Sequence, residues 1–128
     1  MFVLRNDVIG RVNVDLEKAK IDTLKTWDYL MDALEIQLLS VTATGEVELE
    51  QKKTLNKVEQ GISKAYPLLS VFFKKDSLLH LIDQEHAFVY RILDIVDDYD
   101  SHRDQHKLIS LLDSLKDLTK ARKKLRLL

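Results

Sequence analysis

Apolar residues recur at steps of three and four along almost the whole chain. Ile9, Val12, Leu16, Thr23, Trp27, Leu30, Leu34, Leu38 and Val41 mostly keep that spacing, which places them on one helix face. Asn6, Asn13 and Asp15 are the candidate N-caps of this first helix, and Gly10 weakens its earliest turn. Thr42-Ala43-Thr44-Gly45 is the first break. A second run carries Val47, Leu55, Val58, Ile62, Ala65, Leu69 and Phe72, with Glu46, Glu48 and Glu50 near its start, where the helix dipole favours acids. Pro67 falls inside this run and lacks the backbone donor a helix interior needs. The sequence therefore predicts a second helix kinked or broken near Pro67, and the in-phase stripe on either side favours the kink.

Lys74-Lys75-Asp76 reads as the next turn, with Asp76 or Ser77 as cap. Leu78, Ile82, Val89, Leu93 and Val96 mark a third helix, and Leu81, Phe88, Ile92 and Ile95 widen its apolar arc. That arc spans roughly 200°, against ~100° for a helix buried on one side. The third helix is thus either central or covered by a partner. Asp97 to Ser101 form the third break, and Ser101 with Asp104 resembles a capping box. Leu108, Leu111, Leu112, Leu115, Leu118 and Leu125 make the fourth helix. Short connections make neighbours antiparallel. The predicted fold is all-α, an antiparallel up-down-up-down four-helix bundle forming one domain over residues 1–128.

Composition agrees and narrows the chemistry. Three glycines and one proline are too few for the frequent turns of an all-β chain. There is no cysteine, which excludes disulfides, thiolate metal sites and cysteine nucleophiles. No apolar run approaches the ~18 residues of a membrane span, and the start lacks a signal-peptide pattern, so the expected setting is cytoplasmic and membrane-free. The net charge of −1 argues against a general polyanion binder. Charge is nevertheless uneven, with an acidic stretch over 76–106 and a basic one over 107–128. Complementarity within the bundle, plus dipole matching at the last helix end, is the expected reason. Lys116, Lys120, Arg122, Lys123, Lys124 and Arg126 form the alternative, an anion or nucleic-acid contact.

Three groups of residues are candidates for chemistry. Asp97, Asp98, Asp100, His102, Asp104 and His106 are the densest polar cluster, and His102 and His106 lie four apart, a spacing that could share one divalent ion. A calcium loop is excluded, because the turn has no glycine and Ile109 stands where the last acidic ligand is needed. The expected reading is a solvated turn rich in capping residues, with no metal. Glu85 sits near the middle of the third helix's apolar arc, and Lys20 interrupts the first stripe. A buried carboxylate must be neutralised or paired, so Glu85 is expected to be buried and to contact Lys20, Tyr66 or His86. Arg122 also falls mid-stripe, between Leu118 and Leu125, and is expected to snorkel at the bundle end.

The aromatic residues Trp27, Tyr29, Tyr66, Phe72, Phe73, Phe88 and Tyr90 are assigned to core packing by their helical spacing. Phe72, Phe73, Phe88 and Ile95 are the candidate partner surface. A di-iron carboxylate bundle needs Glu-x-x-His on two helices. Here Asp83 precedes His86 by three and no second copy exists. No nucleophile converges with a base, and no glycine-rich loop could cradle a phosphate. The sequence therefore points to a non-enzymatic protein–protein interaction module without cofactor: an adaptor, inhibitor or small assembly subunit that binds a protein partner or its own copies. A nucleic-acid-associated helical subunit and a weak metal-binding helical protein are the alternatives.

Overall fold

Four helices account for nearly all of the protein: α1 (Phe2–Thr44), α2 (Leu49–Phe72), α3 (Ser77–Asp97) and α4 (Ser101–Arg126). The computed structural model describes residues 2–126, and the side chains of residues 14–125. The three short connections reverse the chain each time. Each helix packs on the next, and α4 closes the ring against α1, which makes the antiparallel four-helix bundle. The closest pairs are α1 with α2 and α3 with α4.

Local chemistry sets the helix ends. Gly45 takes a left-handed φ of 77°, and its N–H donates to the Val41 carbonyl at 2.8 Å. A glycine in this position ends a helix without the steric penalty a side chain would bring. At the start of α2, the Glu48 N–H donates to Gln51 Oε1 at 2.9 Å. Asp76 caps α3, accepting the Leu78 N–H at 2.9 Å. The α4 cap lies one residue earlier than the expected Ser101. Asp100 Oδ1 accepts the His102 N–H at 3.0 Å, and the Asp100 N–H donates to Asp104 Oδ2 at 3.1 Å. Asp104 thus reaches back as the sequence suggests, but to Asp100. The expected start of α1 at Asn6, Asn13 or Asp15 is replaced by helix from Phe2 onward; the side chains of Asn6, Ile9, Val12 and Asn13 lie outside the described residues.

The core is built from the predicted stripes. Trp27, Leu34, Leu38, Ile62, Leu69, Ile82, Ile92 and Leu108 are fully enclosed. α2 runs unbroken through Pro67, so the expected break does not occur, and the continuous helix gives the expected kink no support. Pro67 sits on the exposed side, away from Ile62, Ala65 and Leu69. Gly61 faces α1, where a Cβ in its place would stand 2.7 Å from Leu30 Cδ2. A side chain at this position would require Leu30 to shift.

The helices are unequal. α1 has 43 residues and the others have 24, 21 and 26. At 1.5 Å per residue α1 is about 65 Å long, against roughly 32–39 Å for its neighbours. Its N-terminal portion therefore extends past the bundle. Accordingly, the buried stripe of α1 begins at Leu24, while Leu16 is exposed.

Candidate functional site

The only charged or polar side chains buried among the described residues are Glu85, Asp104, Thr119 and Arg122. Three of these meet at one point. Glu85 comes from the middle of α3, and Thr119 and Arg122 from successive turns of one face of α4. Trp27 and Asp28 close the group from α1. Arg122 Nε donates to Glu85 Oε1 at 2.5 Å, and its Nη1 donates to Asp28 Oδ1 at 2.5 Å. Thr119 Oγ1 donates to Glu85 Oε2 at 2.8 Å, and Trp27 Nε1 donates to Oε1 at 3.4 Å. Glu85 and Arg122 have no exposed surface, whereas the Asp28 side chain keeps 16% of its own. Arg122 Nη2 is buried without a hydrogen-bond partner. Burial pushes the Glu85 carboxyl up from its ordinary value, against the Arg122 charge and the hydrogen bonds from Arg122, Thr119 and Trp27.

Glu85 is thus buried as the sequence predicts, but its partner is Arg122 rather than Lys20, Tyr66 or His86. Reflected across the turn at 45–48, Tyr66 stands level with Trp27, and Lys20 lies two turns further along α1. Lys20 instead pairs with Glu17 on its own helix at 3.3 Å and lines an open cleft of ≈ 350 Å³ at the bundle end with Leu24, Phe73 and Leu125. The snorkelling expected of Arg122 is also corrected. Helix side chains lean toward the N-terminus of their helix. From position 122 of α4 that direction leads into the bundle, not out of its end.

A second cluster lies where α2 meets α3. Tyr66 Oη donates to Asp83 Oδ1 at 2.5 Å, and the Tyr66 ring stacks on His86 with centroids 3.8 Å apart. His86 meets the Tyr90 ring edge-on at 4.8 Å, and the Tyr90 hydroxyl lies 3.3 Å from Ser63 Oγ. Burial holds the His86 imidazole below its ordinary pKa, against the pull of Asp83. This ladder of rings starts at Trp27, 6.3 Å from Tyr66, and joins the core to the seam between α2 and α3.

The acidic turn before α4 has a cation of its own. Arg103 donates to both carboxylate oxygens of Asp104 at 3.0 Å and to the Asp98 carbonyl at 2.7 Å. This guanidinium holds the Asp104 carboxyl below the usual carboxylate range. His102 and His106 are both exposed. Among the described residues, no three His, Asp or Glu side chains gather as a metal-holding group.

The basic residues of α4 turn toward α1. Lys116 lies 3.8 Å from Glu35 and Lys123 lies 3.4 Å from Asp32. Arg122, expected as part of an anion-contacting set, is inside the protein. Lys120 and Lys124 are exposed, and the Arg126 side chain is outside the described residues. The charge complementarity of the bundle therefore runs largely between α4 and α1, not only between α4 and the acidic α3.

Phe72, Phe73, Phe88 and Ile95 are half-buried, and the last three pack on the core. The more fully exposed large apolar residues include Leu49, Leu68 and Val71 on α2, Val71 being next to Phe72, and a series on α1. Val14 is 68% exposed, Ile21 53%, Tyr29 72% and Ile36 65%, all on α1. Tyr29 is thus not a core residue, contrary to its assignment by spacing. No helix among the described residues is long and apolar enough to cross a membrane. No protein-family model matches the chain, and no curated protein or solved structure matches it significantly.

Proposed function

We infer that the protein is a non-enzymatic interaction module, a small helical subunit that works by holding another polypeptide chain against its surface. The observation that carries this reading is the outer face of α1, where Val14, Ile21, Tyr29 and Ile36 point away from the core and into solvent. Single exposed apolar residues are ordinary, but a line of them along one helix is the mark of a contact surface. A role without catalysis is supported by Glu85, whose carboxylate is enclosed by Trp27, Thr119 and Arg122 and presents no oxygen to a substrate. The nucleic-acid alternative draws less support, since Arg122 is buried and Lys116 and Lys123 are engaged by acids of α1. A cytoplasmic setting, in which a cysteine-free chain loses nothing, belongs to the same proposal.

Site-specific photocrosslinking in the native host tests this reading. A benzophenone amino acid at position 29 is expected to give protein adducts, and the same group at the exposed position of Lys57 on α2 is expected to give none. Absence of any adduct at position 29, either with another protein or with the chain itself, would overturn it.

A further inference from the structure

We propose that the outer face of α1 binds a second copy of this chain, with the two α1 helices antiparallel about a two-fold axis next to Tyr29. The inference rests on the reading of this face as an interaction surface and adds its occupant. Following the exposed face along the helix gives Val14, Lys18, Ile21, Lys25, Tyr29, Asp32, Ile36, Leu39 and Ala43, every one of them exposed. The steps are of three and four residues, as in the seam of paired helices. This line lies opposite the buried stripe of Trp27, Leu34, Leu38 and Val41, so its occupant cannot come from the same bundle.

The order of residues selects the occupant. With the helices antiparallel and the axis between positions 28 and 29, Val14 meets the partner's Ala43 and Ile21 meets the partner's Ile36. In the same register Lys25 meets the partner's Asp32, and the stem of Lys18 covers the partner's Leu39. Every apolar residue finds an apolar surface and both copies of Lys25 find an acid. The two Tyr29 rings come together at the axis. A parallel pair would instead set Lys18, Lys25 and Asp32 each against its own copy, three like-charge contacts in a row. A surface that complements itself under a two-fold rotation is what an isologous dimer needs.

Two further features agree. The paired stretch, from Val14 to Ala43, is roughly 45 Å long, enough for a continuous contact. The stretch of α1 from Val14 to Thr23, which precedes the buried stripe of its own bundle, would run alongside the partner's bundle. Asp32 already lies 3.4 Å from Lys123 with more than half of its side chain exposed, so the partner's Lys25 would join an existing exposed pair.

Sedimentation of the full chain over a wide concentration range tests the occupant. The expected species has twice the 14.9 kDa chain mass. Ile36→Glu is expected to give a monomer that melts, at low concentration, as the parent does. Lys25→Glu is expected to raise the dissociation constant about tenfold through two exposed charge contacts, and Lys25→Glu with Asp32→Lys to restore it. The absence of cysteine makes orientation readable. Oxidising a mixture of the Ile21→Cys and Ile36→Cys proteins is expected to give mainly the mixed disulfide, and a predominance of 21–21 links would overturn the antiparallel arrangement. A monomer at all concentrations overturns the second copy as occupant. Adducts at position 29 with a different protein would then leave the interaction reading standing, and no adducts at all would remove both.

Discussion

Removing the Glu85 carboxylate breaks the buried ion pair at the centre of the protein. In Glu85→Ala, Arg122 Nε loses its acceptor inside a site with no exposed surface. Thr119 Oγ1 and Trp27 Nε1 lose theirs as well. Nη2 already has no hydrogen-bond partner, and the guanidinium keeps its hydrogen bond from Nη1 to Asp28. Breaking a buried ion pair in this way costs about 3–5 kcal/mol, because the surviving charge stays in a poorly solvating environment. For a chain of 128 residues, the unfolding entropy converts that to a fall in melting temperature of roughly 10–20 °C. Arg122→Met alone is expected to cost a similar amount, since it strands Glu85. The double variant Glu85→Leu/Arg122→Met strands neither charge of the pair, although the Thr119 hydroxyl and the Trp27 N–H still lack their acceptor, and Asp28 can turn its exposed edge to water. Apolar replacement of a whole buried pair is commonly neutral or stabilising by ~1–4 kcal/mol, so the double variant should recover most of the loss. Urea unfolding followed by circular dichroism on all four proteins gives the cycle directly. The reasoning fails if Glu85→Ala unfolds within ~1 kcal/mol of the parent, a value typical of a surface position. It also fails if the losses of the two single variants simply add.

Two further outcomes are expected. His86 is held below its ordinary pKa in the fold, so the unfolded chain binds protons more readily; stability should be complete above the ordinary histidine value near ~6.5 and fall as pH drops through the folded one. Melting curves between pH 8 and pH 5 should show that slope, and His86→Phe, which keeps a ring against Tyr66, should flatten it; an unchanged slope would count against His86 as its source. Gly61→Val should destabilise the protein by ~1–3 kcal/mol, because the new side chain displaces the Leu30 methyl groups, and a variant as stable as the parent would show that Leu30 moves aside without cost.

The architecture could be read from the sequence because the stripes of Leu, Ile and Val keep helical spacing for most of the chain and the breaks coincide with capping residues. Gly45, Asp76 and the Asp97–Ser101 stretch all work as turns or caps, with the α4 cap displaced by one residue. The burial of Glu85 was equally legible, since an acid within an apolar arc has nowhere else to go. Its partner was not. Which cation reaches it depends on the relative heights of α1, α3 and α4 and on the backward lean of the Arg122 side chain, neither of which is a property of spacing along one helix. Tyr29 shows the opposite failure. Its grouping with the other aromatic residues at helical spacing suggests the core, but its position, two past the buried Trp27, turns it outward. The line of exposed residues that Tyr29 shares with Ile21 and Ile36 shows only once the buried face of α1 is fixed.

The placement of the buried charges also divides the labour of assembly. Glu85 and Arg122 both belong to the α3–α4 hairpin, so that half of the molecule holds a pair whose formal charges cancel. The α1–α2 hairpin contributes Asp28 and the Trp27 N–H, which meet the same pair from outside. One hairpin is therefore a socket with its own counterion, and the other is a lid that is recognised by a carboxylate and an indole. The native register brings Asp28 to Arg122 Nη1, and a shift of α1 along α4 breaks that contact. The seam between the two halves thus carries a charge contact and an indole hydrogen bond that hold in this register alone.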